Sequence, residues 1–160
     1  MTPRDNAPAG TRERELVIER IFNAPRELVW NVWTQPEHFA RWYGPTGFTV
    51  PTCEIDLRVG GRHRFGMRSP DGQPYCTTGV FREIVPFERL VLTDAPADEH
   101  GNPLPDMFET TVTVTLEDLG DGQTRLTLRQ SGWPDDTMAT HAGAGWNQAF
   151  DKLAALLPDL

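Results

Sequence analysis

Between residues 48 and 131 the chain changes repeatedly from one apolar–polar alternation to the next, in six runs separated by turn signals. A long helical period follows only after these, over residues 135–157. Alternation with period two places apolar side chains on one face of a strand, whereas the helical period makes a single stripe. Strands of this kind build an antiparallel sheet with one apolar face, and that face must be covered. The closing helix is the one long element available to cover it, so the pattern predicts an α+β domain in which a sheet curves around a helix.

The runs can be placed individually. ELVIERIF at 15–22 is rich in β-branched and aromatic residues and reads as a first strand, followed by NAPRELVWNVWTQPEHFARWYGP at 23–45. In that stretch Pro25 suits the first position of a helix, and Leu28, Val29, Val32 and Trp33 form an apolar stripe. Pro36 restarts the pattern, Phe39, Trp42 and Tyr43 form a second stripe, and Gly44-Pro45 stops it. Two short helices are therefore expected after the first strand, each showing aromatics to one side.

The remaining strands are FTVPTCEIDLRV at 48–59, RHRFGM at 62–67, YCTTGVFREIV at 75–85, RLVLTD at 89–94, MFETTVTVTLE at 107–117 and TRLTLRQS at 124–131. Pro51 signals an edge or a bulge, and Gly60-Gly61 signals a hairpin. His63, Phe65 and Met67 share one strand face, while Arg62 and Arg64 lie on the other as a solvated face. APADEHGNPLPD at 95–106 reads as a mobile loop or a gate. In the final helix Met138, Ala142, Trp146, Ala149, Leu153 and Leu156 keep helical spacing, Asp135 or Asp136 caps it and Pro158 ends it.

Composition excludes several functions. One domain is expected from 160 residues, over 14–158, with residues 1–13 as a polar, disordered tail. A formal net charge of −8, from 23 acidic and 15 basic residues, argues against binding nucleic acid or anionic membrane surfaces. No apolar run is long enough to insert into a membrane, and the start lacks a signal-peptide core, so the expected location is cytoplasmic. Cys53 and Cys76 are expected as free thiols on strands with one strand between them.

No catalytic motif is legible. His38, His63, His100 and His141 have no metal-ligand spacing with one another, AGAGW at 142–146 is not a dinucleotide fingerprint, and GxSxG does not occur. No metal and no cofactor is expected. Gly143 and Gly145 inside the helix each cost about 1 kcal/mol relative to Ala. Their reason is either close packing on a strand or, for Gly145, room for a ligand; Gly66 and Gly79 suggest similar gaps. His63 and His141 are candidates to face one interior space, where they would exchange protons near neutral pH, with Asp94 and Glu109 as further members.

Several local patterns resemble a known family. They are NAPRELVW at 23–30, W-T-x-P-E at 33–37, RWYGP at 41–45, C-E-I-D-L-R-V-G-G at 53–61, G-V-F-R-E-I-V-P at 79–86, E-R-L-V at 88–91, TRLTLRQ, and GAGWNQAFDKLAALL. The chain resembles the START-like (SRPBCC) superfamily, in the branch named for homology to the activator of the heat shock protein 90 ATPase. The resemblance implies a helix-grip fold, a seven-stranded antiparallel sheet wrapped around the C-terminal helix with a cavity between them. Members of the wider superfamily bind lipids, sterols, hormones and polyketides, and some transform aromatic polyketides.

The resulting expectation is a binding protein for a small, largely apolar molecule, with Trp42, His63, Phe65, Phe81, Phe108, His141, Gly145 and Trp146 as candidate contacts. One alternative is an enzyme in the same cavity, using His141 or His63 as acid or base on a carbonyl-containing substrate. Another is a co-chaperone-like module that binds protein through the exposed sheet. A chaperone partner is the less favoured reading, because the co-chaperone of the family carries an additional N-terminal domain.

Overall fold

A computed structural model describes residues 14–160; the segment 1–13, expected to be a disordered tail, lies outside the described residues. The elements in chain order are β1 (Arg14–Phe22), α1 (Arg26–Thr34), α2 (Pro36–Trp42), β2 (Thr49–Ile55), β3 (Arg62–Arg68) and β4 (Pro74–Val85). They continue with β5 (Arg89–Ala97), β6 (Thr110–Gly120), β7 (Gln123–Trp133) and α3 (Asp136–Leu156), closed by a short 3₁₀ turn at Leu157–Asp159. The seven strands form one antiparallel sheet in the order β1-β7-β6-β5-β4-β3-β2.

The alternation in the sequence becomes an alternation in space. Along β6, Thr110, Val112, Val114 and Leu116 are buried; along β7, Thr124, Leu126, Leu128 and Gln130 are. The register sets Val112 against Gln130, Val114 against Leu128 and Leu116 against Leu126, so the inward rows of the two strands meet. Cross-strand pairs of this kind stabilise a sheet by about 0.2–1 kcal/mol each.

Helix α3 covers this face. Asp135 caps it by accepting the Met138 backbone N–H at 2.8 Å. Phe150, fully buried, packs its ring 5.9 Å from Phe22 and 5.6 Å from Trp146. A Cβ on Gly143 would lie 3.0 Å from Leu16 Cδ1, so close packing of α3 on β1 explains this glycine. The short helices add aromatic bulk at one end: Trp33 packs on Trp42 at 5.0 Å and stacks on Trp146 at 5.6 Å. Gly44, at φ +92°, turns the chain out of α2 where a β-carbon would be strained.

Three expectations are corrected. β5 continues through Ala97 rather than stopping at Asp94, and β6 begins only at Thr110, so Phe108 sits in the loop ahead of the strand. Arg62 and Arg64 are not simply solvated: their guanidinium groups donate to the Gly101 and Glu99 carbonyls and tie that loop to β3. β2 ends at Ile55, with a register shift between Thr49 and Thr52 around Pro51. Cys53 and Cys76 are free, with β3 between their strands. No helix of the described residues is long and apolar enough to cross a membrane.

Candidate functional site

Helix α3 and the concave sheet do not close on each other completely. Three adjoining chambers remain, and Asp94 is the residue that stands on the wall of all three. The inner chamber, between the short helices and β3–β6, has a volume of about 20 Å³. That is room for about one water. The middle chamber, about 230 Å³, runs along α3 past Tyr43, Gly145 and Trp146. The outer chamber, about 370 Å³, lies between β4, β5 and the loop carrying Phe108. Middle and outer chambers share Met67, Thr77, Gln130 and Trp133 as well as Asp94.

Asp94 follows Leu90 and Leu92 on the inward parity of β5, so the strand carries its carboxyl into the interior. Its side chain is 14% exposed, and Oδ1 has no hydrogen-bond partner among the described residues. Burial pushes this carboxyl up to about 7; the nearby Thr77 hydroxyl offsets part of that rise without completing a hydrogen bond. Thr77 Oγ1 and the indole nitrogens of Trp33 and Trp133 are likewise buried and unpartnered. Buried polar atoms are normally satisfied, so a cluster of exceptions on one cavity calls for an explanation. Burial also raises the Tyr43 phenol above its ordinary range, with Asp94 adding to the effect, so that hydroxyl keeps its proton.

One polar chain in the wall is complete. The Trp146 indole N–H donates to Gln130 Oε1 at 2.8 Å, Gln130 Nε2 donates to Thr110 Oγ1 at 2.9 Å, and that hydroxyl donates to the Asp94 carbonyl at 3.1 Å. The chain links α3, β7, β6 and β5 and holds the Trp146 ring in place against the cavity.

The structure places the candidate residues unequally. Gly145 and Trp146 stand on the middle chamber, and Phe108 on the outer one, where it packs 5.6 Å from Trp133. Phe65 and Phe81 line only the water-sized inner chamber. His141 is exposed, at the outer side of the middle chamber.

Trp42 and His63 are corrections. Trp42 is fully buried, gives its indole N–H to the Val32 carbonyl at 2.8 Å, and lines none of the three chambers. His63 stacks on Phe65 at 4.5 Å, and its Nε2–H donates to the Thr93 carbonyl at 2.6 Å. Burial lowers its pKa to about 4, so it is neutral at physiological pH and shares no space with His141. Gly66 and Gly79 stand on none of the three chambers: a Cβ on Gly66 would meet Thr52, and one on Gly79 would run into Thr93 and His63. Glu109 is exposed and stands on no chamber wall, whereas Asp94 stands at the centre.

Thr77, Gln130 and Trp133 are wall residues that the sequence reading missed. Gln130 carries a readable signal, being a polar residue in register with inward Leu126 and Leu128. Trp133 carries none, because the legible alternation ends before it.

A curved antiparallel sheet holding one long helix, with a cavity between the two, defines a helix-grip, START-like fold. The chain belongs to the family described as Activator of Hsp90 ATPase homolog 1-like protein, whose family profile matches residues 23–158. A crystal structure of a protein from Chromobacterium violaceum is similar, at 33% identity and TM-score 0.79, covering 89% of this chain and 96% of that one. The AHSA1 protein from Silicibacter pomeroyi is similar at 26% identity and TM-score 0.79, covering 91% of this chain and 98% of that one. A protein from Nitrosomonas europaea is similar at 26% identity and TM-score 0.76, covering 91% and 94%. No curated protein matches the sequence.

Proposed function

We propose that the chain binds a small molecule with a largely apolar body in the space between α3 and the sheet. The observation that supports this reading is the pair of middle and outer chambers, walled by Met67, Phe108, Trp133 and Trp146 and carrying a few inward polar groups without partners among the described residues. Ligand pockets are usually built this way, mostly apolar with a small number of polar groups that set orientation. The ligand body then lies along Gly145, Trp146 and Trp133, and not against Phe65 and Phe81.

A second reading, catalysis in the same cavity, is favoured by Asp94 alone. A buried carboxyl that exchanges its proton near pH 7 suits general acid–base work, and the Tyr43 hydroxyl stands on the same walls. His63, neutral and bonded to the Thr93 carbonyl, does not fill that role.

Gly145→Leu tests the cavity. A Cβ at this position would meet only Pro45 Cγ at 3.5 Å, an ordinary contact, so the backbone accepts a side chain whose branches then enter the middle chamber. Binding of uncharged N-phenylnaphthylamine, followed by its fluorescence, is expected to weaken by about tenfold or more, equivalent to about 1.4 kcal/mol. The thermal midpoint is expected to hold or rise, because replacing a helix-interior glycine returns up to about 1 kcal/mol. A folded variant that binds the probe as the parent does removes this chamber as the site.

A further inference from the structure

Resting on that cavity reading, we propose that the ligand's head is an alkylammonium group, received by Asp94 and the Thr77 hydroxyl within the aromatic wall of Tyr43, Trp146 and Trp133. Two buried oxygens, Asp94 Oδ1 and Thr77 Oγ1, lie on the walls of the same two chambers and have no partners among the described residues. An ionised carboxylate only accepts hydrogen bonds, and a hydroxyl can accept as well. What the carboxylate lacks is a positive charge.

Among the described residues none supplies that charge. Among the described residues the basic group within ion-pair distance of Asp94 is His63, with Nε2 3.9 Å from Oδ1, and that imidazole is neutral and spends its proton on Thr93. Lys152 directs its ammonium to the Tyr43 and Pro45 carbonyls, at 3.4 and 3.2 Å, and stands on none of the three chamber walls. A carboxylate buried without a counter-ion is unfavourable, and a cation brought by the ligand relieves it.

The surroundings fit a cation as well. Tyr43 and Trp146 meet edge to face at 5.7 Å on the middle chamber, with Trp133 on the same wall. Aromatic faces attract alkylammonium groups, and rings around a carboxylate are a recurring way to hold them. Met67, Ala142, Gly145 and Ala149 provide apolar wall for the ligand body. An anionic head would find Asp94 and, among the described residues, no Lys or Arg on the middle wall, and a neutral alcohol would leave the charge unanswered. The Trp133 indole N–H is not satisfied by an ammonium; it would need an acceptor oxygen elsewhere in the ligand.

The groups around Asp94 leave its own titration in control of the interaction. Tyr43, after α2, stays protonated; Cys53 on β2, near Tyr43, is pushed up to about 12 and stays a thiol. His63 on β3 stays neutral above about 4, and α3 contributes exposed His141 and Lys152, whose ammonium is engaged by the Tyr43 and Pro45 carbonyls. Thr110 on β6 and Gln130 on β7 do not titrate.

Calorimetry on the full chain with octylamine, octanol and octanoate, three heads on one tail, tests the assignment. At about pH 8 octylamine is expected to bind at least about tenfold more tightly than octanol, with octanoate weakest. Asp94→Asn is expected to abolish the preference for amine while N-phenylnaphthylamine and octanol still bind. Acidifying the parent to about pH 5, where octylamine stays charged and Asp94 is protonated, is expected to shrink the preference too. If Asp94→Asn does not fold, Thr77→Val and the acid titration serve the same end, each with a reduced preference expected. Octylamine binding no better than octanol, or a preference that survives in Asp94→Asn, overturns the ammonium head and leaves the cavity standing. Failure of the parent to bind N-phenylnaphthylamine as well overturns the cavity reading and the head with it.

Discussion

Asp94→Asn is expected to stabilise the protein at about pH 8 by about 3 kcal/mol, with the gain fading as the pH falls toward 4. The Asp94 carboxyl ionises at 3.8 when freely solvated and at about 7 in the fold. Between those values the folded state holds a proton that the unfolded state has lost, so stability declines as pH rises through the window. Above about 7 both states are ionised and the folded protein carries the whole cost of an unpaired buried charge. Each unit of difference corresponds to about 1.36 kcal/mol, and the amide, which cannot ionise, removes most of that cost.

His63 slopes the other way. Its value falls from 6.5 to about 4 on burial, so the stability that comes from keeping it neutral is complete above 6.5 and is lost as the pH falls toward 4. In the parent the two slopes oppose each other across the shared window. In Asp94→Asn only the histidine's remains, so acidification from 6.5 to 4 should cost that variant about 3 kcal/mol and the parent much less. Urea unfolding at several pH values measures both. Equal stability of the two proteins at about pH 8 would mean that Asp94 is hydrated or paired rather than buried alone. Stability given up at one carboxylate is the usual mark of a group kept for what it binds.

Gly79→Ala is expected to destabilise by about 3 kcal/mol or more, far beyond the effect of an ordinary strand substitution. Gly79 on β4 pairs with His63 on β3, and the imidazole passes across it to reach the Thr93 carbonyl on β5. A Cβ at this position would lie 2.7 Å from His63 Nε2 and closer still to the Thr93 carbonyl, with backbone rather than a flexible side chain in the way. Relief requires parting β4 from β5 or expelling the histidine, and expulsion leaves a buried carbonyl without its donor. Gly145→Ala, with only Pro45 at 3.5 Å, should be close to neutral or stabilising. Chemical denaturation of the two variants side by side measures the contrast. A Gly79→Ala protein as stable as the parent would remove the reason given for that glycine.

Much of the fold could be read from periodicity because each strand has a single buried face. Leu126 and Leu128 announced theirs, and so did Val112 and Val114. The end of β5 was hidden by its composition: Pro96 reads as a loop residue, yet it pairs with Thr77 on β4, while the pairing of β5 with β6 ends at Asp94 and Thr110. A proline on the unpaired side of a strand costs no ladder bond. Phe108 was misplaced for the matching reason.

The site was legible in direction and not in depth. Parity put His63 on the inward face correctly, but whether an inward residue lines a cavity or fills it depends on strands that are distant in sequence, here Gly79 and Thr93. Trp42 is the helical version of the same limit: its stripe faces inward, and the Val32 carbonyl takes its N–H. Asp94 is the better guide, and Gln130, which the sequence reading passed over, carries the same signal, since a polar residue at an inward parity position must be answered by something.

Native mass spectrometry of the full chain, purified gently and compared with its denatured mass, tests the cavity account most directly. A discrete extra mass is expected, released on denaturation, absent from Gly145→Leu and carrying a basic nitrogen. Identical native and denatured masses, together with no binding of N-phenylnaphthylamine, would contradict it and mean that the space between α3 and the sheet is closed in solution.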